Sequence, residues 1–375
     1  MRFKRNKVGV GAAMMSIAIL MLSLCAPIVA KVIGVDPDTL NLDVLDVSGI
    51  PTVGISWDHP LGLIPGTGRD FLAQLLYGSR ISFLIAILTT MTALTIGLFV
   101  GIIGGYFRGR IDNYLGRFTD FLLAFPAFFM IVALNQPMVA RIEESGIAEG
   151  NNARIIFLVF FLSFFGWPGF SRLVRSQVLS LREREFVTAA AAMGATRWRV
   201  ITKELIPNLW APVIVVVSLS LPGYLAAEAV YSFLGLGVQP PASTWGILLS
   251  NATRYVTVMP SFFLIAAGSL VLVVLAFNLV GDALRDALFC IFNRPEPITH
   301  VVAQEPVLLE ERIAFIQSQL ASGQALSFIH LLNPQQGRMG MVVTFMAVLE
   351  LTRQQKIQII HSGIEAPLTV QGIAA

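Results

Sequence analysis

The stretch ISFLIAILTTMTALTIGLFVGIIGGY, residues 81–106, contains no charged side chain. It is long enough for an α-helix to cross the hydrocarbon core of a bilayer. Lipid offers no hydrogen-bond partner to the backbone, and the stretch lacks the alternation of a barrel strand, so we expect it to be helical. The stretch therefore predicts a membrane-spanning helix.

Five further apolar runs have a comparable character, and they lie at about 8–30, 115–139, 153–171, 209–234 and 259–281. The whole sequence is 55% hydrophobic and only 13% charged, whereas an average soluble domain is roughly 25% charged. We therefore predict an all-α polytopic membrane protein with six transmembrane helices.

Lysine and arginine are divided unequally among the connections. The N-terminus, residues 106–117 and residues 171–208 carry four, three and seven of them, and the alternate connections carry three, two and one. Basic connections remain in the cytoplasm. Both chain ends are therefore expected inside, and the connections 31–80 and 236–258 outside.

The N-terminal run is long enough to span a bilayer, and Ile28 spoils a cleavage pattern at Ala30, so we predict a retained anchor rather than a cleaved signal peptide. Leu24 disfavours a lipoprotein signal at Cys25. Cys25 and Cys290 are far apart in the sequence and support neither a disulfide framework nor a zinc site.

These patterns divide the chain into four parts: an N-terminal anchor helix (1–30), an extracytoplasmic loop segment (31–80), a transmembrane domain (81–290) and a soluble tail (296–375). We call residues 31–80 the outer segment. Its prolines and glycines indicate loops with short helices, too few residues for a substantial core.

The cytoplasmic residues 182–208, REREFVTAAAAMGATRWRVITKELIPN, are called the coupling segment. Alanines favour a helix, Gly194 permits a tight reversal and Pro207 is expected to end a second short helix. Such a helix-turn-helix suits a cleft on a cytoplasmic partner. It equally suits lipid headgroups, which Arg197 to Arg199 would attract, and composition does not separate these two interpretations.

The coupling segment resembles the coupling loop of binding-protein-dependent ABC importer permeases, with its Glu-Ala-Ala pattern, glycine and Leu-Pro pair. Thr188 stands where that family usually has Glu, and Ile206 where it usually has Leu. The resemblance assigns contact with ATPase subunits to six positions: Glu185, Thr188, Ala189, Ala190, Gly194 and Pro207.

Other segments resemble the second permease subunit of dipeptide, oligopeptide and nickel importers. They are residues 59–70 and 76–82 near the outer segment, 232–246 in the last outer loop, and 281–286 near the end of the permease. The outer-loop motif comprises His59, Gly62, Gly68, Arg69 and Asp70.

We expect the polar residues of this motif, together with Asp58, either to fix the conformation of the outer segment or to contact a solute-binding protein. A metal or catalytic pair of His59 and Asp70 is disfavoured because no further ligand or nucleophile accompanies it. Glu228 lies in an apolar run and is a candidate pathway residue, the alternative being placement at the membrane interface.

No phosphate-binding Gly-x-x-x-x-Gly-Lys-Ser/Thr loop occurs in the sequence, and no catalytic residue is expected. The resemblance implies a pore subunit in a bacterial inner membrane that works with a second permease subunit, two ATPase subunits that bind ATP and Mg, and an extracytoplasmic solute-binding protein. We expect contact with membrane lipid, no cofactor on this chain and no nucleic acid.

The tail is predicted to contain a helix at 308–320, a short helix at 325–332, a helix at 341–353 and a strand at 356–361. This order indicates a small winged-helix module, and it resembles the C-terminal domain of segregation and condensation protein A. The tail is then a protein-contact module or the product of a joined reading frame. The alternative function is a membrane-anchored scaffold that recruits a condensin-like partner through the tail.

Overall fold

The structure is a computed structural model that describes residues 6–292, 309–320, 325–332, 337–360 and 369–372. It divides into two compact units, at Met1–Arg294 and Pro295–Ala375. The N-terminal residues Arg2, Lys4 and Arg5, the predicted boundary at 296 and His361 lie outside the described residues.

The first unit is built from helices. They are α1 (Lys7–Leu24), α2 (Ala26–Ile33), α3 (Phe71–Phe107), α4 (Gly109–Ala124), α5 (Ala127–Glu144), α6 (Gly150–Arg182), α7 (Glu185–Ala192), α8 (Arg197–Arg199), α9 (Ile206–Phe233), α10 (Trp245–Arg254) and α11 (Pro260–Phe292). Five helices in the described part are long and apolar enough to cross a membrane, and counting the bent pair of α4 and α5 as one span gives six. The predicted class of all-α polytopic membrane protein is confirmed.

The bent pair corrects the single helix predicted at 115–139. Helices α4 and α5 meet at an angle of 79° around Phe125 and Pro126. Proline has no N–H to continue a helix, and it pushes the residue before it into an extended conformation, which Phe125 adopts. In contrast, Pro168 and Pro222 lie inside helices α6 and α9.

Other helix boundaries also differ from the predictions. Helix α6 continues to Arg182 beyond the predicted residue 171, and α11 continues to Phe292 beyond the predicted residue 281. Helix α3 begins at Phe71 and not at residue 81, because Asp70 caps it and the less apolar residues before Ile81 are helical as well. The predicted anchor over 8–30 is interrupted at Cys25. Pro27 in the first turn of α2 lacks the N–H that would continue α1.

The expectation that Pro207 ends a short helix is wrong. Helix α8, a π-helical turn at Val200–Leu205 and α9 form one helix over Arg197–Phe233. The wider π turn lies directly before the proline, and such turns accommodate local disruption inside a longer helix. The second half of the coupling segment is therefore the beginning of a membrane span.

Helices α3 and α6 approach each other along a line of glycines, which we call the glycine seam: Gly97, Gly101 and Gly105 of α3. Facing them on α6 are Phe170, Val174 and Val178. A Cβ atom placed on Gly101 would lie 2.7 Å from the Cβ of Val174, closer than packed side chains allow. Small residues at four-residue spacing let membrane helices pack closely, so these two spans form one rigid pair.

The second unit has helices α12 (Leu309–Leu320) and α13 (Gly337–Arg353) and strands β1 (Leu326–Ser327), β2 (Ile357–Ile360) and β3 (Thr369–Gly372). The strands form an antiparallel sheet of order β1-β3-β2. Both predicted long helices and the strand near residue 357 are present. The predicted helix at 325–332 is wrong, because this stretch contains β1 and a short 3-10 turn at Phe328–Leu331. The winged-helix assignment stays a prediction.

The tail has a core of its own, formed by residues from both helices and the sheet: Ile316, Leu320, Leu331, Ala347, Val348, Leu351, Ile357 and Val370. The buried Arg312 fastens its helices together. Its Nε donates to the Thr344 hydroxyl at 2.8 Å and a terminal nitrogen donates to the Leu331 carbonyl at 2.7 Å. A buried cation needs such partners, so Arg312 is a structural residue.

Candidate functional site

Helix α7 lies on the surface of the first unit with one side packed and the other free. Val187 is buried in the core that α6 and α9 share, and Ala190 is buried as well. Glu185, Thr188 and Ala189 are exposed on the opposite side. The packed side explains why an eight-residue helix persists, since short isolated helices are marginal in water. The free side offers small side chains and one carboxylate to a partner.

Gly194 ends α7 in a left-handed conformation with φ 84°. Its N–H donates to the Ala191 carbonyl at 3.0 Å, and the N–H of Ala195 donates to the Ala190 carbonyl at 3.1 Å. This pair of bonds is a Schellman motif, which glycine favours because it has no Cβ. The predicted reversal at Gly194 is therefore present, and it directs the chain into α8.

Thr188 occupies the position where the resemblance leads us to expect Glu. Its hydroxyl donates to the Glu185 carbonyl at 2.9 Å within the same helix. The side chain is thus satisfied locally and carries no charge. The exposed side of α7 keeps only the carboxylate of Glu185 at this end.

The residues of the coupling segment that flank α7 contact the end of α3. A guanidinium nitrogen of Arg108 donates to Glu183 Oε1 at 2.6 Å, and Arg182 donates to the Tyr106 carbonyl. The guanidinium of Arg197 lies 5.9 Å from the ring centroid of Phe107. These contacts connect the residues before and after α7 to the end of α3.

Arg108 has φ 52° and ψ −169°, a region of conformational space that is almost confined to glycine. Such a conformation costs about 1–3 kcal/mol and persists only where surrounding contacts hold it. Here the Glu183 carboxylate holds the side chain, and the N–H of Arg108 donates to the Gly104 carbonyl at 3.2 Å. The turn between α3 and α4 is therefore strained and attached to the coupling segment.

In the outer segment, the predicted motif residues surround the beginning of α3. Asp70 is 2% exposed; its Oδ1 accepts from the Ala73 N–H at 2.8 Å and its Oδ2 lies 2.9 Å from His59 Nδ1. An aspartate in this position caps a helix. The contact of His59 with Asp70 therefore holds the outer segment against the beginning of α3. The exposed Asp58 is not part of this pair.

The remaining motif residues join the outer segment to other loops. Gly68 has φ 64°, and its carbonyl accepts from the Asn41 side chain at 2.9 Å. A Cβ on Gly68 would lie 2.5 Å from the Asn41 carbonyl oxygen. Gly62 also has a positive φ, of 82°. Arg69 donates to the Pro241 carbonyl at 2.9 Å, which connects this segment to the 236–258 loop.

Glu228 lies on α9 and is 0% exposed. Its Oε1 accepts from the Ser232 hydroxyl at 2.6 Å. The hydroxyls of Ser82 and Thr244 lie next to the carboxyl group, yet Oε2 has no partner of hydrogen-bonding geometry among the described residues. The one side-chain hydrogen bond of Glu228 among the described residues therefore stays within α9, and hydroxyls of α3 and of the loop before α10 lie close by.

The sequence did not predict the contacts between the coupling segment and the end of α3, and it did not predict the glycine seam. The seam had a readable signal, since three glycines recur at four-residue spacing from Gly97. Arg108 and Glu183 lie 75 positions apart, and no local pattern pairs them. Two ion pairs between α4 and α6, Arg172 with Asp120 and Arg175 with Asp112, were missed for the same reason.

The fold and the contacts of the coupling segment are those of a polytopic helical membrane protein. Its short exposed helix α7 lies between the spans α6 and α9, and the residues beside α7 contact the end of α3. The chain belongs to the family of binding-protein-dependent transport system inner membrane components, whose profile matches residues 93–289. It is a transmembrane pore subunit of an ABC importer.

Relatives agree with this family. The chain is 36% identical over 287 residues to the oligopeptide transport system permease protein OppC of Haemophilus influenzae, covering 76% of this chain and 86% of that protein. It is 31% identical over 287 residues to the dipeptide transport system permease protein DppC of Alkalihalophilus pseudofirmus, covering 76% and 87%. A solved chain of the inward-facing MetNI methionine ABC transporter is 18% identical with a TM-score of 0.46, covering 58% of this chain and 97% of that chain.

Proposed function

We propose that this chain is the second permease subunit of an importer for oligopeptides, dipeptides or solutes of similar size. The support is the set of relatives whose names specify oligopeptide and dipeptide transport, each matching 76% of this chain. In this proposal the pore forms between this chain and a different permease subunit. The motif residues near Asp70 lie at the end of the bundle that faces the solute-binding protein.

The coupling segment is the docking surface for an ATPase subunit. The observation that carries this proposal is the geometry of α7, which is packed on one side and presents Glu185, Thr188 and Ala189 on the other. ATP and Mg bind to the partner subunits, and this chain supplies no residue to hydrolysis. Both chain ends and the coupling segment lie in the cytoplasm of a bacterial cell.

Movement of α7 reaches three spans directly. The link to α6 is short, through Glu183 and Arg184. The link to α9 runs through the continuous helix over Arg197–Phe233. The link to α3 runs through the contact of Arg108 with Glu183. Because the glycine seam joins α3 to α6 rigidly, closure of the ATPase subunits moves these spans together and changes which side of the pore is open. Such a change requires that ATP-bound and ATP-free partners favour different arrangements.

Co-purification tests this proposal. The tagged chain is extracted from membranes in a mild detergent, and its partners are identified by mass spectrometry. We expect an ABC ATPase and a second permease subunit to co-purify with it. A variant with Glu185→Ala and Thr188→Trp, which blocks the exposed side of α7, should retain the second permease subunit and lose the ATPase.

Recovery of the chain without any ATPase, under conditions that preserve such assemblies, would contradict the proposal. Equal ATPase recovery with the blocked variant would show that the ATPase docks elsewhere. The matched control is Thr52→Trp, an exposed residue of the outer segment. It should leave both partners in place.

A further inference from the structure

A groove of about 650 Å³ runs between α1 and α3, next to the outer segment. Its walls are mostly apolar and include Leu20 and Leu24 of α1 and Leu84, Ile87 and Leu88 of α3. Several of these side chains are largely exposed in the first unit, with Leu84 48% and Leu24 63% exposed. At membrane depth an apolar groove of this kind is filled by hydrocarbon and not by water.

The mouth of the groove carries one cation and one anion. Arg80 and Asp38 both line it, and both are exposed. Among the described residues, neither the guanidinium of Arg80 nor the carboxylate of Asp38 forms a hydrogen bond or ion pair, although Arg80 lies 5.9 Å from the ring centroid of Tyr77. Both charges are therefore available to a zwitterionic headgroup.

A compact turn holds Asp38 in place. The N–H of Asp38 donates to Asp36 Oδ1 at 3.2 Å, and the Thr39 hydroxyl donates to Asp36 Oδ2 at 2.7 Å. The bonds from Thr39 and from the Asp38 backbone lower the pKa of Asp36 from its ordinary value. The ionised carboxylate of Asp36 therefore accepts both bonds at neutral pH.

The depth of the groove matches the position of a lipid headgroup above its acyl chains. The uncharged run of α3 begins at Ile81, directly after Arg80, which puts the guanidinium at the level of the polar headgroups. From Arg80 to Leu88 the helix rises about 12 Å, enough to accompany the upper part of an acyl chain. The buried hydroxyl of Ser243, which has no hydrogen-bond partner among the described residues, lies in the same wall.

We propose that this groove is a binding site for a phospholipid with an ethanolamine headgroup. Arg80 binds the phosphate by charge-assisted hydrogen bonds, Asp38 accepts from the ammonium group, and the apolar walls hold an acyl chain. Bound lipid would fill the space between the anchor helix and α3. This site is independent of the proposed substrate and of the coupling segment.

Native mass spectrometry tests the proposal on the full chain with whatever partners co-purify. The protein is extracted from membranes of known content and exposed to equal amounts of phosphatidylethanolamine, phosphatidylglycerol and phosphatidylcholine. We expect one phosphatidylethanolamine to be retained per chain. Arg80→Gln should weaken its retention about tenfold, the loss expected for a hydrogen bond to a charged group. Asp38→Asn should reduce the preference for phosphatidylethanolamine over the other two lipids.

The matched control is Arg141→Gln, which removes an exposed arginine near the end of α5 and should leave lipid retention unchanged. Leu84→Trp fills the groove and should expel the lipid while the partners remain. Equal retention in wild type and Arg80→Gln would overturn the proposal. So would a Leu84→Trp variant that loses the second permease subunit and keeps its lipid, because the groove would then be a protein interface.

Discussion

Gly194 combines a positive φ of 84° with open surroundings, since a Cβ built on it would meet no atom within 4 Å. Replacement by valine therefore strains the backbone without a clash, at a cost of about 1–3 kcal/mol. We expect Gly194→Val to insert normally into the membrane but to separate ATP hydrolysis from uptake. ATPase activity and uptake are measured in parallel.

The control for this prediction is Gly169→Val, because Gly169 is exposed within α6 and also has open space around it. This glycine is not among those with a positive φ. Normal coupled uptake in Gly194→Val, or an equal defect in Gly169→Val, would contradict a special role for the reversal.

Asp70 caps α3 and contacts His59. Two substitutions distinguish its contribution to stability from a contribution to uptake. Asp70→Ala removes the cap and should lower the free energy of unfolding by about 1 kcal/mol, seen as a lower melting temperature in detergent. Asp70→Asn should keep most of that stability, since asparagine caps helices equally well. Loss of uptake in Asp70→Asn with unchanged melting would instead indicate direct contact with solute or with the binding protein.

Among single residues, the sequence singled out candidates such as Glu228 but did not predict their contacts. Glu228 stood out as an ionisable residue in an apolar run, but its hydrogen bond to Ser232 and the nearness of Ser82 and Thr244 were not predicted. The strained conformation of Arg108 had no sequence signal, since nothing local marks an arginine that takes a glycine-like conformation.

Among the helices, the glycine seam sets how closely α3 and α6 approach. Gly101→Ala would bring a Cβ to 2.7 Å from the Val174 Cβ and 2.8 Å from the Ser171 carbonyl oxygen. Because backbone lies in the way, the helices must separate, at a cost of about 1–3 kcal/mol. We expect a lower melting temperature and less assembled complex.

The control for the seam is Gly268→Ala on α11, where a Cβ would meet nothing within 4 Å. This substitution should be neutral or stabilise the helix by up to about 1 kcal/mol. If Gly101→Ala were as harmless as Gly268→Ala, the close packing of α3 on α6 would be wrong.

Helix type was predictable for the membrane spans because long apolar runs leave no other backbone solution in lipid. Helix α10, at Trp245–Arg254, lies in the predicted 236–258 loop and was missed. Helix ends and bends were not predictable, since they depend on caps and on how each proline is accommodated. Pro126 breaks a helix, whereas Pro207 follows a π turn inside a continuous one. A proline alone does not distinguish these outcomes.

Across the whole molecule, the two units have separate cores, and deletion of residues 296–375 tests whether transport needs the tail. The family profile ends at residue 289, so we expect the shortened chain to reach the membrane and support uptake of labelled peptide in complemented cells. No observation supports the alternative of a condensin-recruiting scaffold. Loss of uptake at a normal membrane level of the shortened chain would give the tail a role in transport.

The division into permease and tail was predictable from the change in composition after Arg294 and from the order of the motifs. The third strand of the tail, Thr369–Gly372, was missed, because four residues near a chain end carry little periodicity. Pairing with β1 and β2 makes it a strand.

Cross-linking tests whether the exposed side of α7 contacts an ATPase subunit. Thr188→Cys is introduced into a chain whose Cys25 and Cys290 are replaced by alanine. Its thiol is labelled with a maleimide that carries a photoreactive benzophenone, and the purified complex is irradiated. We expect a covalent adduct with the ATPase subunit, and none from Thr52→Cys in the outer segment. A complex that contains the ATPase but gives no adduct at Thr188→Cys, or gives one at Thr52→Cys, would contradict the proposed contact between α7 and the ATPase subunit.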